Sequence, residues 1–151
     1  MTSIEKTSPA HDLARELAVE VRAIHRALKQ RVREHGGSKD LTASQMSVLA
    51  RLEEDGASTV SGLARAEGMR PQSMREVVAP LQASGLVSGS PDPQDGRQTL
   101  ISLTPKGVTW IKEGKAASHD WLTTTIFRRL TTPQQHQLGE ALKLLRRVVE
   151  A

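Results

Sequence analysis

The chain reads as mainly helical with one small β-hairpin, and three observations predict this. Along most of the sequence, apolar residues recur at intervals of three and four, as on one face of a helix. One stretch, Gly85 to Gly107, breaks that rhythm. Two short apolar runs, Leu86-Val87 and Leu100-Ile101-Ser102-Leu103, flank a turn-rich tip at Pro91, Asp92, Pro93, Asp95 and Gly96. Finally, Ser or Thr beside Pro marks helix starts at Ser8-Pro9, Thr104-Pro105 and Thr132-Pro133. A short helix, a Gly-containing turn and a second helix precede the hairpin. That order is the layout of a winged helix-turn-helix, with Arg97 just past the tip of the wing.

The first helix is expected from about Ser8 to Glu34, with the Ser8 hydroxyl as its cap. Leu13, Leu17, Val21, Ile24, Leu28 and Val32 share one face; Arg15, Glu16, Arg22, Arg26 and Arg33 lie opposite. Gly36-Gly37-Ser38 makes the following loop. Thr42 and Gln45 form a capping box for the second helix, whose buried stripe is Met46, Leu49 and Leu52 with Val48 at its edge. Asp55-Gly56 ends it. Ser58-Thr59 starts a short helix bearing Val60, Leu63 and Ala64, stopped by Gly68. Pro71 begins the next, with Met74, Val77, Val78 and Leu81 inside and Ser84-Gly85 at its end. Pro80 removes one hydrogen bond within it.

After the hairpin, a long helix runs from Thr104 to about Leu130, with Val108, Ile111, Trp121, Leu122, Ile126 and Phe127 as its apolar positions. Gly114 and Thr123-Thr124-Thr125 weaken it locally. A capping box at Thr132-Pro133-Gln134-Gln135 opens the last helix. Its stripe of Leu138, Leu142, Leu145 and Val149 resembles a packing seam for another helix.

Composition narrows the functional classes. A chain of 151 residues is most simply one domain and can bury a real core. No apolar run approaches the length of a membrane span. The N-terminus carries no apolar core or cleavage signal, so a cytoplasmic rather than secreted protein is expected. Cysteine is absent, which excludes disulfides, thiol redox sensing and cysteine-ligated metal. A net charge of +4 permits a polyanionic partner.

The central segment resembles the MarR family of transcriptional regulators. Gly85-Leu86-Val87 followed by Asp92 to Arg97 and Leu103-Thr104-Pro105-Lys106-Gly107 carries the likeness, with Ser61 to Ala64 matching the first motif helix. The family's wing bears an Asp-x-Arg, matched by Asp95 and Arg97. Ser88-Gly89-Ser90 departs from the pattern: it is uncharged where relatives often carry basic residues. The resemblance covers about Asp12 to Val149. It implies a single MarR-like domain over 1–151, with a winged helix-turn-helix DNA-binding lobe at about 42–107. The segments at about 9–35 and 108–151 would then form a helical dimerisation lobe. It further implies a homodimer, paired through Leu13, Leu17, Leu138, Leu142, Leu145 and Val149, on a pseudo-palindromic operator in double-stranded DNA. A repressor is expected, released by a small aromatic or lipophilic acid bound between the dimer helices and the reading lobe; Arg22, His25 and Arg26 are candidates to meet it.

From Thr42 to Gly107 there are six basic residues against seven acidic ones, so placement rather than bulk charge must carry a DNA contact. The start of the second motif helix enters the major groove, which makes Arg70, Gln72, Ser73 and Arg75 the candidate readers. Gln pairs bidentately with adenine, Arg with guanine, and Ser with bases or phosphates. Thr59 and the first helix amides are candidates to hold phosphate. Arg97 is expected in the neighbouring minor groove, with Asp95 orienting it or a nearby arginine through a charge-assisted hydrogen bond.

No catalytic or metal site is expected. There is no G-x-S-x-G, no Gly-rich phosphate loop, and no metal-ligand spacing among His25, His35, His119 and His136. No cofactor is implied. The alternative is a winged helix used for protein–protein assembly.

Overall fold

The computed structural model describes residues 8–35 and 41–150; the expected loop at Gly36-Gly37-Ser38 lies outside them. Six helices and three short strands follow in the order α1 (Pro9–His35), α2 (Ala43–Asp55), β1 (Ser58–Thr59), α3 (Val60–Ala66), α4 (Pro71–Ala83), β2 (Val87–Pro91), β3 (Thr99–Leu103), α5 (Pro105–Arg129) and α6 (Thr132–Val149).

Helix starts follow the caps, with two corrections. Gln45 N–H donates to Thr42 Oγ1 at 3.2 Å while Thr42 N–H donates to Gln45 Oε1 at 2.8 Å, the expected box. The last box sits one residue earlier than the sequence predicts. Thr131, not Thr132, exchanges hydrogen bonds with Gln134, which leaves Pro133 inside the first turn. Ser8 does precede α1, but its buried hydroxyl has no partner among the described residues, and its carbonyl accepts from His11 N–H instead. Helix α4 continues through Pro80 to Ala83.

The hairpin is present, and it has a third strand that the sequence reading lacks. Ser58 and Thr59 pair antiparallel with Ile101 and Leu100, giving the order β1-β3-β2. Thr59 is thus the last residue of a strand and the cap of α3, its Oγ1 accepting from Gly62 N–H at 3.0 Å.

The two halves of the wing motif lock onto each other. Thr104 Oγ1 donates to the Gly85 carbonyl, and Thr104 N–H donates to the Leu86 carbonyl at 3.1 Å. The same hydroxyl accepts from Gly107 N–H at 3.0 Å and so caps α5. A Cβ at Gly107 would overlap the Leu86 carbonyl oxygen, so only glycine fits this close approach.

The core gathers Val48, Leu49, Leu52, Leu63, Met74, Leu81, Ile101, Trp110 and their neighbours, all between Leu41 and Ile111. Three face assignments differ from the sequence reading. Val48 is fully buried while Met46 is half-buried. Trp110, not Val108, meets the core at the start of α5. Phe127 is exposed. Helix α1 packs along α5 and comes close at Gly114, where a Cβ would lie 2.7 Å from Val32 Cγ1. Ser118 Oγ donates to the Leu28 carbonyl at 3.1 Å, and the Arg31 guanidinium stacks over Trp121. Neither α1 nor α6 buries a residue.

Candidate nucleic-acid interface

Helix α4 is held by Met74, Val78 and Leu81 on the core side, which turns Gln72, Ser73, Arg75 and Glu76 outward. Arg70 is the N-cap residue, exposed and with no side-chain capping bond, so its guanidinium extends from the helix start. The turn before it is fixed from two sides. Gly68 takes φ +63°, a left-handed conformation that favours glycine, and Met69 N–H donates to the Ala64 carbonyl at 2.8 Å. Glu67 accepts from Ser47 Oγ at 2.9 Å and from Arg51 Nε at 3.1 Å, tying the turn to α2. The backbone that presents Arg70, Gln72, Ser73 and Arg75 is therefore set before any DNA arrives.

Among these side chains, Arg75 Nη1 donates to Gln72 Oε1 at 3.3 Å. Glu76 shares the exposed face. A search of the sequence for basic and amide readers passes over it, although its place next to Arg75 follows from the same helical period.

The wing tip is a closed turn. Asp92 Oδ1 accepts from Gln94 N–H at 2.9 Å, Asp95 Oδ1 accepts from Arg97 N–H at 3.1 Å, and Asp92 N–H donates to the Gln98 carbonyl at 2.9 Å. Asp95 thus acts on the Arg97 backbone. Among the described residues no ion pair joins it to the Arg97 guanidinium; a short Asp side chain two residues back reaches the amide more readily than the end of the guanidinium. Arg97 is exposed, and Ser88, Gly89 and Ser90 on β2 are too. Gln82 of α4 and Arg97 of the wing line one open depression of about 290 Å³, so reading helix and wing present a continuous surface. Thr59 is half-buried, with its oxygen engaged in the α3 cap.

This arrangement matches known proteins. The MarR family profile matches residues 41–99. An HTH-type transcriptional regulator of Mycobacterium bovis is 37% identical over 110 residues, spanning 73% of this chain and 74% of that one. The chain belongs to the MarR family. It is accordingly a DNA-binding regulator of transcription with a winged helix. The HTH-type transcriptional repressor IacR of Pseudomonas putida is 27% identical over 70% of this chain and 63% of its own length. Among solved structures, a MarR-type fold recurs in a transcriptional regulator of Thermotoga maritima, at a TM-score of 0.76 and 21% identity over 90% of this chain and 95% of that one.

A second site lies between α1, α2 and α5. Lys29, Val32, Met46, Leu49, Ala50, Glu53, Trp110, Ile111 and Lys115 line a cavity of about 190 Å³. An adjoining groove of about 390 Å³ shares Lys29, Val32 and Lys115 and adds His25 and His119. Of the three expected ligand residues, only His25 reaches it. Arg26 is turned about 100° from His25 around α1, and Arg22 lies nearly a turn beyond the groove's end. Lys29 and Lys115 are the basic residues that line both the cavity and the groove. Lys115 Nζ donates to both Glu53 carboxylate oxygens, at 2.7 and 2.8 Å, and so ties α5 to α2.

Proposed function

We propose that this regulator works as a cytoplasmic homodimer that represses transcription from a pseudo-palindromic operator and is released by a small apolar acid. The observation that carries the dimer is the isolation of α6. Leu138, Leu142 and Val149 are exposed on it, Leu145 is half-buried, and no residue of the helix is buried. An apolar stripe of that length asks for a second surface, and a second copy supplies one by symmetry. Leu13 and Leu17 on α1 extend the same apolar character at the other end of the chain.

Each protomer then offers one α4 to the major groove and one Arg97 to the minor groove. Two such lobes, related by a twofold axis, read half-sites about one helical turn apart, roughly 34 Å. The cavity beside Trp110 has apolar walls and two lysines at its rim, which suits an aromatic or lipophilic carboxylate. A ligand carboxylate at Lys115 competes with Glu53 for the ammonium and so loosens α2 from α5. DNA affinity falls as the two reading lobes change separation.

Footprinting of the purified protein on the DNA beside its own coding region tests this. Two protected half-sites a turn apart are expected, and added aromatic carboxylates should weaken the protection. Binding that shows no sequence preference across a salt series would favour the protein-assembly alternative.

A further inference from the structure

We infer that Gln72 is a positioning residue for Arg75, and that Arg75 reads a guanine in each half-site. This rests on the reading of α4 as the major-groove helix. The pair lies three residues apart on the exposed face of α4, joined by the Arg75 Nη1 to Gln72 Oε1 hydrogen bond of 3.3 Å. A guanidinium carries donors only, so the glutamine atom facing it must be the oxygen. The contact therefore fixes which way the amide points.

That orientation changes what each side chain can read. Bidentate pairing with adenine needs the glutamine oxygen for the N6 amino group and the NH₂ for N7. Here one lone pair of that oxygen already serves Arg75, and the contact holds the amide toward the arginine rather than along a base edge. The arginine keeps most of its donors, enough for the fork that matches O6 and N7 of guanine. Arg75 forms no ion pair among the described residues, even with the neighbouring Glu76, so Gln72 is the partner that steers it. Because Met74 and Val78 anchor the backbone beneath, the side chain of Arg75 is the main freedom left to settle. A hydrogen bond formed in advance removes part of that freedom before DNA binds.

The experiment selects duplexes from a randomised pool with the full-length protein, then measures affinities for matched guanine and adenine duplexes. The wild type should favour guanine at one position per half-site, and 7-deazaguanine there should lower affinity about tenfold, within the range for one bidentate contact. Gln72→Glu keeps an oxygen facing Arg75 but cannot donate to adenine N7. It should therefore hold the guanine-to-adenine ratio within about twofold, even as its added charge weakens all duplexes alike. Gln72→Ala should reduce that ratio at least about threefold, and Arg75→Ala should abolish it. Circular dichroism confirms that these exposed variants fold. An adenine preference that Gln72→Glu destroys would overturn the inference, as would a guanine ratio unchanged in Gln72→Ala. If the wild type enriches no motif at all, the groove assignment of α4 fails, and the inference fails with it.

Discussion

The segment from Leu41 to Ile111 contains every residue of the buried apolar cluster, whereas α1 and α6 bury none. The first region closes a core within one protomer: Leu63 from α3, Met74 and Leu81 from α4, and Ile101 from the sheet meet there, all but inaccessible to water. The second has amphipathic helices whose apolar stripes are only partly covered: the Leu28 and Val32 end of α1 lies against α5, while Leu13, Val21 and Ile24 on α1 and Leu138 and Leu142 on α6 stay exposed. The difference separates two tasks. The reading surface rests on packing that needs no partner, so its geometry is a property of the single chain. In the proposed dimer, the distance between two such surfaces rests on helices that need a partner, so it is a property of the assembly.

Substitutions in the two regions should therefore behave differently, and the largest effect belongs to the closed core. Leu63→Ala should destabilise the lobe by about 2–5 kcal/mol, since it removes a fully buried side chain and leaves a cavity. Urea unfolding followed at two protein concentrations checks this. The destabilisation of the lobe should be the same at both, and a loss that scales with concentration would break the contrast. Next comes Leu142→Asp on α6, which should raise the dissociation constant of the proposed dimer by about a hundredfold, because symmetry forces two charges into one apolar seam. Sedimentation should show monomers whose circular dichroism still reports a folded reading lobe.

The smallest effect lies at the wing. Arg97→Ala should lower operator affinity about tenfold without disturbing the dimer. It should also reduce the salt slope by about one unit if the guanidinium meets one phosphate. Asp95→Asn should cost less than about twofold, because an asparagine oxygen can accept from the Arg97 amide as the aspartate does. Fluorescence anisotropy across a salt series separates these variants. A large loss in Asp95→Asn would mean that its charge, rather than its turn geometry, matters.

Much of the fold was legible in local patterns. Thr42 with Gln45, Thr104 with Pro105 and the Asp-Gly-Arg tip each announce their structure within a few residues, because caps and turns are satisfied by near neighbours. Strand β1 was not, since Ser58 and Thr59 pair with residues some forty positions later, and two residues carry no period of their own. The α5 face was hidden for a related reason. Val108, Trp110 and Ile111 lie on different sides of its first turns, and packing against α1, α2 and β3 decides that Trp110 goes in and Val108 stays out. The lining of the cavity was equally hidden. Lys29 and Lys115 look like ordinary solvated residues until α1 and α5 are laid side by side. The outward face of α4 that carries Gln72, Ser73 and Arg75 was legible from the helical period, but the hydrogen bond between Gln72 and Arg75 depends on side-chain conformation and so was not.

The short strand β1 has a consequence for how the molecule tolerates variation in its target. Ser58-Thr59 stitches the root of the helix-turn-helix to the middle of the wing, and Thr59 caps α3 from the same place. Wing and reading helix are therefore one rigid gauge. In the proposed complex, the offset between α4 and Arg97 is set inside each protomer and does not stretch to suit a longer or shorter half-site. In the proposed dimer, any slack for operators of unequal spacing has to come from the terminal helices that join the two copies. Sequences should then drift freely between the half-sites, while the length of each half-site stays constant.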